Sequence, residues 1–306
     1  MEPTVHTLSK IIKYSLFIVS LCLSQPVFAK LQILACEPEW AALITEIGGE
    51  HVKVTSATTA MQDPHQIQAR PSLIAKARRA DMIACSGAGL EAGWLPVLLK
   101  KSANPNIQKG KPGHFLATDH VELEGKIPGS QNKLHAAGNP HVHFDPHRIL
   151  KIASALTDAL AQIDTGNAAS YQSNLNRFNE TWNAAIQEWQ QKTAHMKNTS
   201  VIVHHDSWIY LVQWMGLKQI ATLEPQHGVS PSTRYLAELL ERIKAQPADM
   251  ILRSGYEDER PSRWLSEKTG IPVVSVPFSV SDYNKNGSLK QWMNTVIDKL
   301  LQGKAT

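Results

Sequence analysis

The chain has 306 residues, 42% of them hydrophobic and 19% charged, with a formal net charge of +4. That length fits two α/β domains of ordinary size, and the composition excludes a disordered chain. The basic excess is spread along the sequence, with neither a basic stripe nor an interleaved aromatic and basic patch, so no nucleic acid is expected as a partner.

Lys10 and Lys13 precede an apolar run over 14–23, and Val27 and Ala29 place small residues at the −3 and −1 positions of a cleavage site. This predicts a secretory signal peptide over 1–29 and a mature, periplasmic chain from Lys30 onward. The run is too short to span a bilayer as a stable helix. Lipidation is the lesser alternative. Leu21 is too large to precede a lipidated Cys22, and Lys30 and Gln32 interrupt the apolar run feeding Ile33-Leu34-Ala35-Cys36.

Strand and helix signals then alternate. Residues 31–36 read as a buried strand, and 39–47 as a helix stopped by Gly48-Gly49. Residues 51–57 alternate as a strand, Pro71-Ser72 opens a helix to Arg79, and 81–85 is again a strand. This order implies a parallel sheet with helices on both faces. Cys36 and Cys85 each close an apolar run and so fall at one sheet edge, where a disulfide and two buried free thiols are both open. No C-x-x-C pair suggests cysteine ligation of zinc.

Residues 104–144 are rich in Gly, Pro and His and read as a long connection with short strands. Asp145-Pro146 caps a helix whose apolar stripe is Ile149, Ile152, Leu156, Leu160 and Ile163. A second helix starts near Asn167, with Tyr171, Leu175, Phe178, Trp182, Ala185 and Trp189 on one face. At 26 residues it would be about 39 Å long, enough to join two lobes. Strands at 200–204, 249–252 and 272–276 and helices at 231–245, 261–269 and 289–301 repeat the pattern. The expectation is an α/β chain of two Rossmann-like lobes with parallel sheets joined by one long connecting helix. Its segments are a first lobe at 30–166, the helix at 167–197 and a second lobe at 198–306. Ligands in such folds bind outside the carboxyl ends of the strands.

Three of the thirteen histidines follow a strand or precede a capped helix: His65 in Asp63-Pro64-His65, His141 in Asn139-Pro140-His141, and His205 in His204-His205-Asp206. Neutral imidazole suits Zn²⁺, and three histidines plus one further ligand make a tetrahedral site. Separations of 76 and 64 residues do not by themselves bring the three together. Asp63 and Asp206 are placed to orient imidazole rings, Asp206 equally to cap a helix. Trp208 and Tyr210 read as core residues. Gly87-Ala88-Gly89 lacks the Lys-Ser/Thr of a phosphate loop, and no G-x-S-x-G occurs.

Further stretches carry a resemblance: Glu37-Pro38-Glu39-Trp40, Arg70-Pro71-Ser72, Gly89-Leu90-Glu91 with Trp94-Leu95, Asp145-Pro146, His205-Asp206-Ser207-Trp208 with Tyr210, and Met215-Gly216-Leu217. With Asp63-Pro64-His65 and Asn139-Pro140-His141, in this order over nearly the whole chain, they resemble the substrate-binding proteins of ABC transporters for zinc and manganese. The resemblance implies two α/β lobes around a metal-binding cleft. His65 and His141 match the ligands of the first lobe and His205 that of the second. It implies Zn²⁺ as transported ligand, with Mn²⁺ less favoured, and a monomer working with an ABC transporter permease in the inner membrane. Manganese-binding relatives place a Glu and an Asp where this chain has Ser254 and Pro277, which favours zinc. The fourth position is open to water, Asp282, Glu257 or His143. His135 and His143 are also open as groups behind the ligands, as a capture site, or as ordinary loop residues. A zinc hydrolase, with water activated at the open position, is the competing class, although no general base stands out. An adhesin of the same fold is a third reading, disfavoured by the weak case for a lipid anchor.

Overall fold

The computed structural model describes residues 29–125, 138–226, 228–283 and 287–304. The signal-peptide and Cys22 readings and His135 lie outside these. The described residues from Leu31 onward form one compact unit.

The first lobe holds strands β1 (Leu31–Ala35), β2 (Val52–Ser56), β3 (Met82–Cys85) and β4 (His114–Leu116), all parallel, in spatial order β2-β1-β3-β4. Helices α1 (Pro38–Gly48), α2 (Pro71–Arg78), α3 (Leu95–Ser102) and α4 (Pro146–Ile163) accompany them. The second lobe repeats the plan with β5 (Ser200–Val203), β6 (Lys218–Thr222), β7 (Met250–Ser254) and β8 (Val273–Val276) in order β6-β5-β7-β8, again all parallel. Its helices are α6 (Ile209–Met215), α7 (Thr233–Ala245), α8 (Glu259–Thr269) and α9 (Leu289–Lys304). Three elements were not legible in advance: α3, α6 and the edge strand β6.

Between the sheets runs α5 (Ala168–Thr193), 26 residues long and packed on α1, α4 and α9. Its buried stripe is the expected one, with Ile186 and Thr193 added. Two tryptophans two turns apart tie it to both lobes. Trp182 Nε1 donates to Pro146 O at 2.9 Å, and Trp189 Nε1 to Asn294 Oδ1 at 2.6 Å. One hydrophobic core therefore continues from Ile33 through Trp182 and Trp189 to Leu300. Asp145 caps α4 as expected, its carboxylate accepting from the backbone of His147 and Arg148.

In each sheet the strand order reverses beside the first strand, so β1 and β3, and β5 and β7, open crevices at their carboxyl ends. At the first crevice Cys36 and Cys85 are joined in a disulfide, Cα atoms 4.7 Å apart, both fully buried. Of the two states open from the sequence the structure holds the bonded one, and Cys36 is thereby engaged away from any lipidation.

The residues just beyond form a buried acidic knot. Ser86 N donates to Glu91 Oε1 at 2.8 Å and to Glu37 Oε2 at 3.2 Å, and Trp40 Nε1 donates to Ser86 Oγ at 2.8 Å. Burial raises the pKa of both carboxyls, Glu91 to about 7. A carboxyl raised on folding stabilises the native state fully below its ordinary range, and that stability is lost as pH rises through the raised value. Between pH 4.5 and about 7, Glu91 should therefore cost the metal-free protein on the order of 3 kcal/mol as pH increases. Urea unfolding across this range should show that slope in the wild type and a flatter one in Glu91→Gln; equal slopes would rule Glu91 out.

Candidate metal centre

The three sequence-predicted histidines reach one place by three routes. His65 sits in a short 3-10 turn, Pro64–Gln66, capped by Asp63. Trp94 Nε1 donates to Pro64 O at 2.9 Å and pins that turn to the first lobe. His141 follows a backbone clamp. Its N–H donates to Asn139 Oδ1 at 3.0 Å, while Asn139 Nδ2 donates to Asp206 O at 2.6 Å and Tyr210 OH donates to Asn139 O at 2.6 Å. Asn139 thus ties the His141 loop to the turn that follows His205. His205 lies just past β5, at the crevice of the second sheet.

The imidazole centroids are 5.5 Å apart for His65 and His141, 5.8 Å for His65 and His205, and 5.9 Å for His141 and His205. One ring nitrogen from each falls within 4.8 Å of the others. His141 is fully buried and His205 nearly so. His65 and His205 line a cleft cavity of about 600 Å³, together with Asp63, Glu224, Tyr256 and Glu257.

Carboxylates set two of the rings. His65 Nδ1 lies 2.7 Å from Asp63 Oδ1, and His205 Nδ1 lies 2.8 Å from Glu224 Oε2. A carboxylate only accepts, so each Nδ1 carries the proton and each neutral ring has its lone pair on Nε2. This is the arrangement that orients metal-binding histidines. Burial, the largest single influence, pushes Asp63 and Glu224 up, but hydrogen bonds from His65 and His205 hold both below their ordinary values. For His205 burial pushes down and the Glu224 partnership wins, leaving it raised.

Asp63 plays the orienting part expected of it. Asp206 does not: it is exposed, and its Oδ1 accepts from Gln219 Nε2 at 3.3 Å. Glu224 takes that role for His205 and was missed, because β6, the strand that delivers it, was missed. Tyr210 is buried as expected but also organises the His141 loop, with the Arg148 guanidinium 4.6 Å above its ring. Of the open fourth donors, Asp282 is exposed and is not among the cavity-lining residues. His143 is buried and turned toward Glu39 and Phe278 O. Glu257 lines the cavity, folds its Oε2 back onto Ser254 N, and is pushed up to about 7 by burial.

The family model described as zinc-uptake complex component A, periplasmic (ZnuA), matches residues 33–303. The manganese ABC transporter substrate-binding lipoprotein PsaA of Streptococcus pneumoniae is 24% identical, aligned over 90% of this chain and 89% of that protein. The zinc-binding lipoprotein AdcA of S. pneumoniae serotype 4 is 23% identical, over 84% of this chain and 52% of its own length. Among solved structures, a crystal structure of ZnuA superposes with a TM-score of 0.74 at 23% identity, over 90% of this chain and 99% of that one. FpvC of P. aeruginosa, in complex with Ni²⁺, gives 0.74 at 20% identity, over 90% and 97%. These likenesses establish the two-lobed fold.

Proposed function

The chain belongs to the family of periplasmic zinc-uptake component A proteins, metal-binding components of ABC transporters rather than enzymes, and from that premise we propose that it captures Zn²⁺ in the interlobe cleft through His65, His141 and His205. Export by the segment 1–29 puts it in the periplasm, where it delivers the metal to the permease in the inner membrane. The observation that carries the reading is the convergence of three imidazoles, two of them with Nδ1 held by a carboxylate. Three nitrogen donors at this spacing can close on a tetrahedral ion with bonds of about 2.0–2.1 Å. In such a site affinity rises from Mn²⁺ to Zn²⁺.

Manganese cargo is the second reading, and Glu257 is what favours it. Its carboxyl lines the same cavity and would add the oxygen donor that a harder ion prefers. Competition titration of the metal-stripped protein separates the two. Zn²⁺ should bind in a 1:1 ratio and at least about 100-fold more tightly than Mn²⁺, as a nitrogen-rich site requires. Equal affinities, or displacement of Zn²⁺ by equimolar Mn²⁺, would overturn the zinc assignment.

A further inference from the structure

A buried polar chain lies directly behind the histidine trio and crosses between the lobes. Glu39, in the first turn of α1, is fully buried. Its Oε2 accepts a hydrogen bond from Ser279 Oγ, in the segment that leaves β8 of the second lobe. Its Oε1 faces His143 Nδ1 at 3.4 Å. On the other side of that ring, His143 Nε2 lies 3.2 Å from Phe278 O. A carbonyl only accepts, so Nε2 holds a proton.

His143 belongs to the 3-10 turn Val142–Phe144, for which His141 is the N-cap. The Phe278 ring packs edge-on against both imidazoles, at 5.4 Å from His141 and 5.3 Å from His143. Ser279, Glu39, His143 and Phe278 therefore close a loop of contacts from one lobe to the other and back, with His141 resting on it. All four are buried. Burying a carboxyl is costly unless each neighbour answers it, and a buried link that loses one partner leaves the others unsatisfied.

We propose that Glu39 is a positioning residue for metal capture: by holding Ser279 and His143 together it fixes the His141 turn against the second lobe and so sets how long the metal is retained, without touching it. The proposal rests on the reading of His141 as a metal ligand. A carboxyl that served stability alone would change the melting temperature and leave metal release and site geometry as they were. A positioning group changes release itself.

The test follows loss of Zn²⁺ from the loaded protein into excess chelator, for wild type, Glu39→Gln, Ser279→Ala and the double variant, with His141→Ala beside them. Each single change should speed release about tenfold, the scale of one buried hydrogen bond to a charged group. The double variant should be no faster than the singles, because both cut one link. The visible spectrum of bound Co²⁺ should shift in Glu39→Gln. Wild-type release rates and an unchanged Co²⁺ spectrum in the single variants would overturn the proposal, whatever happens to the melting temperature. So would a double variant whose rate is the product of the two effects. Should Glu39→Gln fail to fold, Ser279→Ala removes only a hydroxyl, and wild-type release in it decides the matter alone. Wild-type Zn²⁺ affinity in His141→Ala sinks the ligand reading itself. Lost binding there together with unaltered release in Glu39→Gln sinks only the role of Glu39.

Discussion

Replacing His141 with alanine is expected to lower Zn²⁺ affinity by well over 100-fold, measured by chelator competition on the metal-stripped protein. The scale comes from the chemistry of such sites, where removing only a group that orients a ligand costs about 10–100-fold. Removing the ligand must cost more. Of the three imidazoles His141 is the most enclosed. Its turn is held by Asn139 on one side and by the Phe278 ring on the other. His65→Ala and His205→Ala should fall in the same range, and Asp63→Asn within the smaller one. The metal-free variants should keep the wild-type circular dichroism, since none of the three histidines belongs to a helix or strand of the two sheets. Retention of wild-type affinity by all three alanine variants would refute the site.

The second large effect concerns the disulfide. Cys36 and Cys85 close a loop with a sequence separation of 49, for which chain entropy predicts about 4 kcal/mol of stabilisation. The bond ties the carboxyl ends of two adjacent parallel strands, both fully buried, so the double variant Cys36→Ala/Cys85→Ala also loses packing. Guanidinium unfolding of the wild type in reductant should show a loss of about that size, and the double variant a somewhat larger one. A loss under about 1 kcal/mol would mean that the unfolded chain is already compact across this loop. Zn²⁺ affinity should be little changed, because none of the three histidines lies inside the cross-linked strands.

What could be read in advance was what is written locally. The stripe from Tyr171 to Trp189 repeats at helical spacing over about five turns, and Asp145-Pro146 announces its helix within two residues. The buried strands β1, β3 and β5 are short apolar runs and stand out for that reason. Strand β6, Lys-Gln-Ile-Ala-Thr, lies at the sheet edge and shows neither alternation nor an apolar run. Its side-chain pattern follows from a neighbouring strand and not from its own period. Glu224 was lost with it, since a carboxylate one turn past an unseen strand has no reason to be matched with His205. The convergence of His65, His141 and His205 has the same character. Each was legible as a residue at a strand end or loop, but their meeting depends on where the crevices of two separate sheets fall. The partnership of Glu39 with Ser279, 240 residues apart, lies further still from anything a local pattern carries.

The long helix has a consequence for modularity. A two-lobed outline invites the idea that each half could be inherited, swapped or expressed separately. The tryptophans of α5 argue otherwise, because Trp182 answers to the first lobe and Trp189 to the second across two turns of one buried face. A cut on either side of this helix would strip a core-sized apolar stripe of half its cover. Recombination that separates the two sheets would break the core that α5 shares with both.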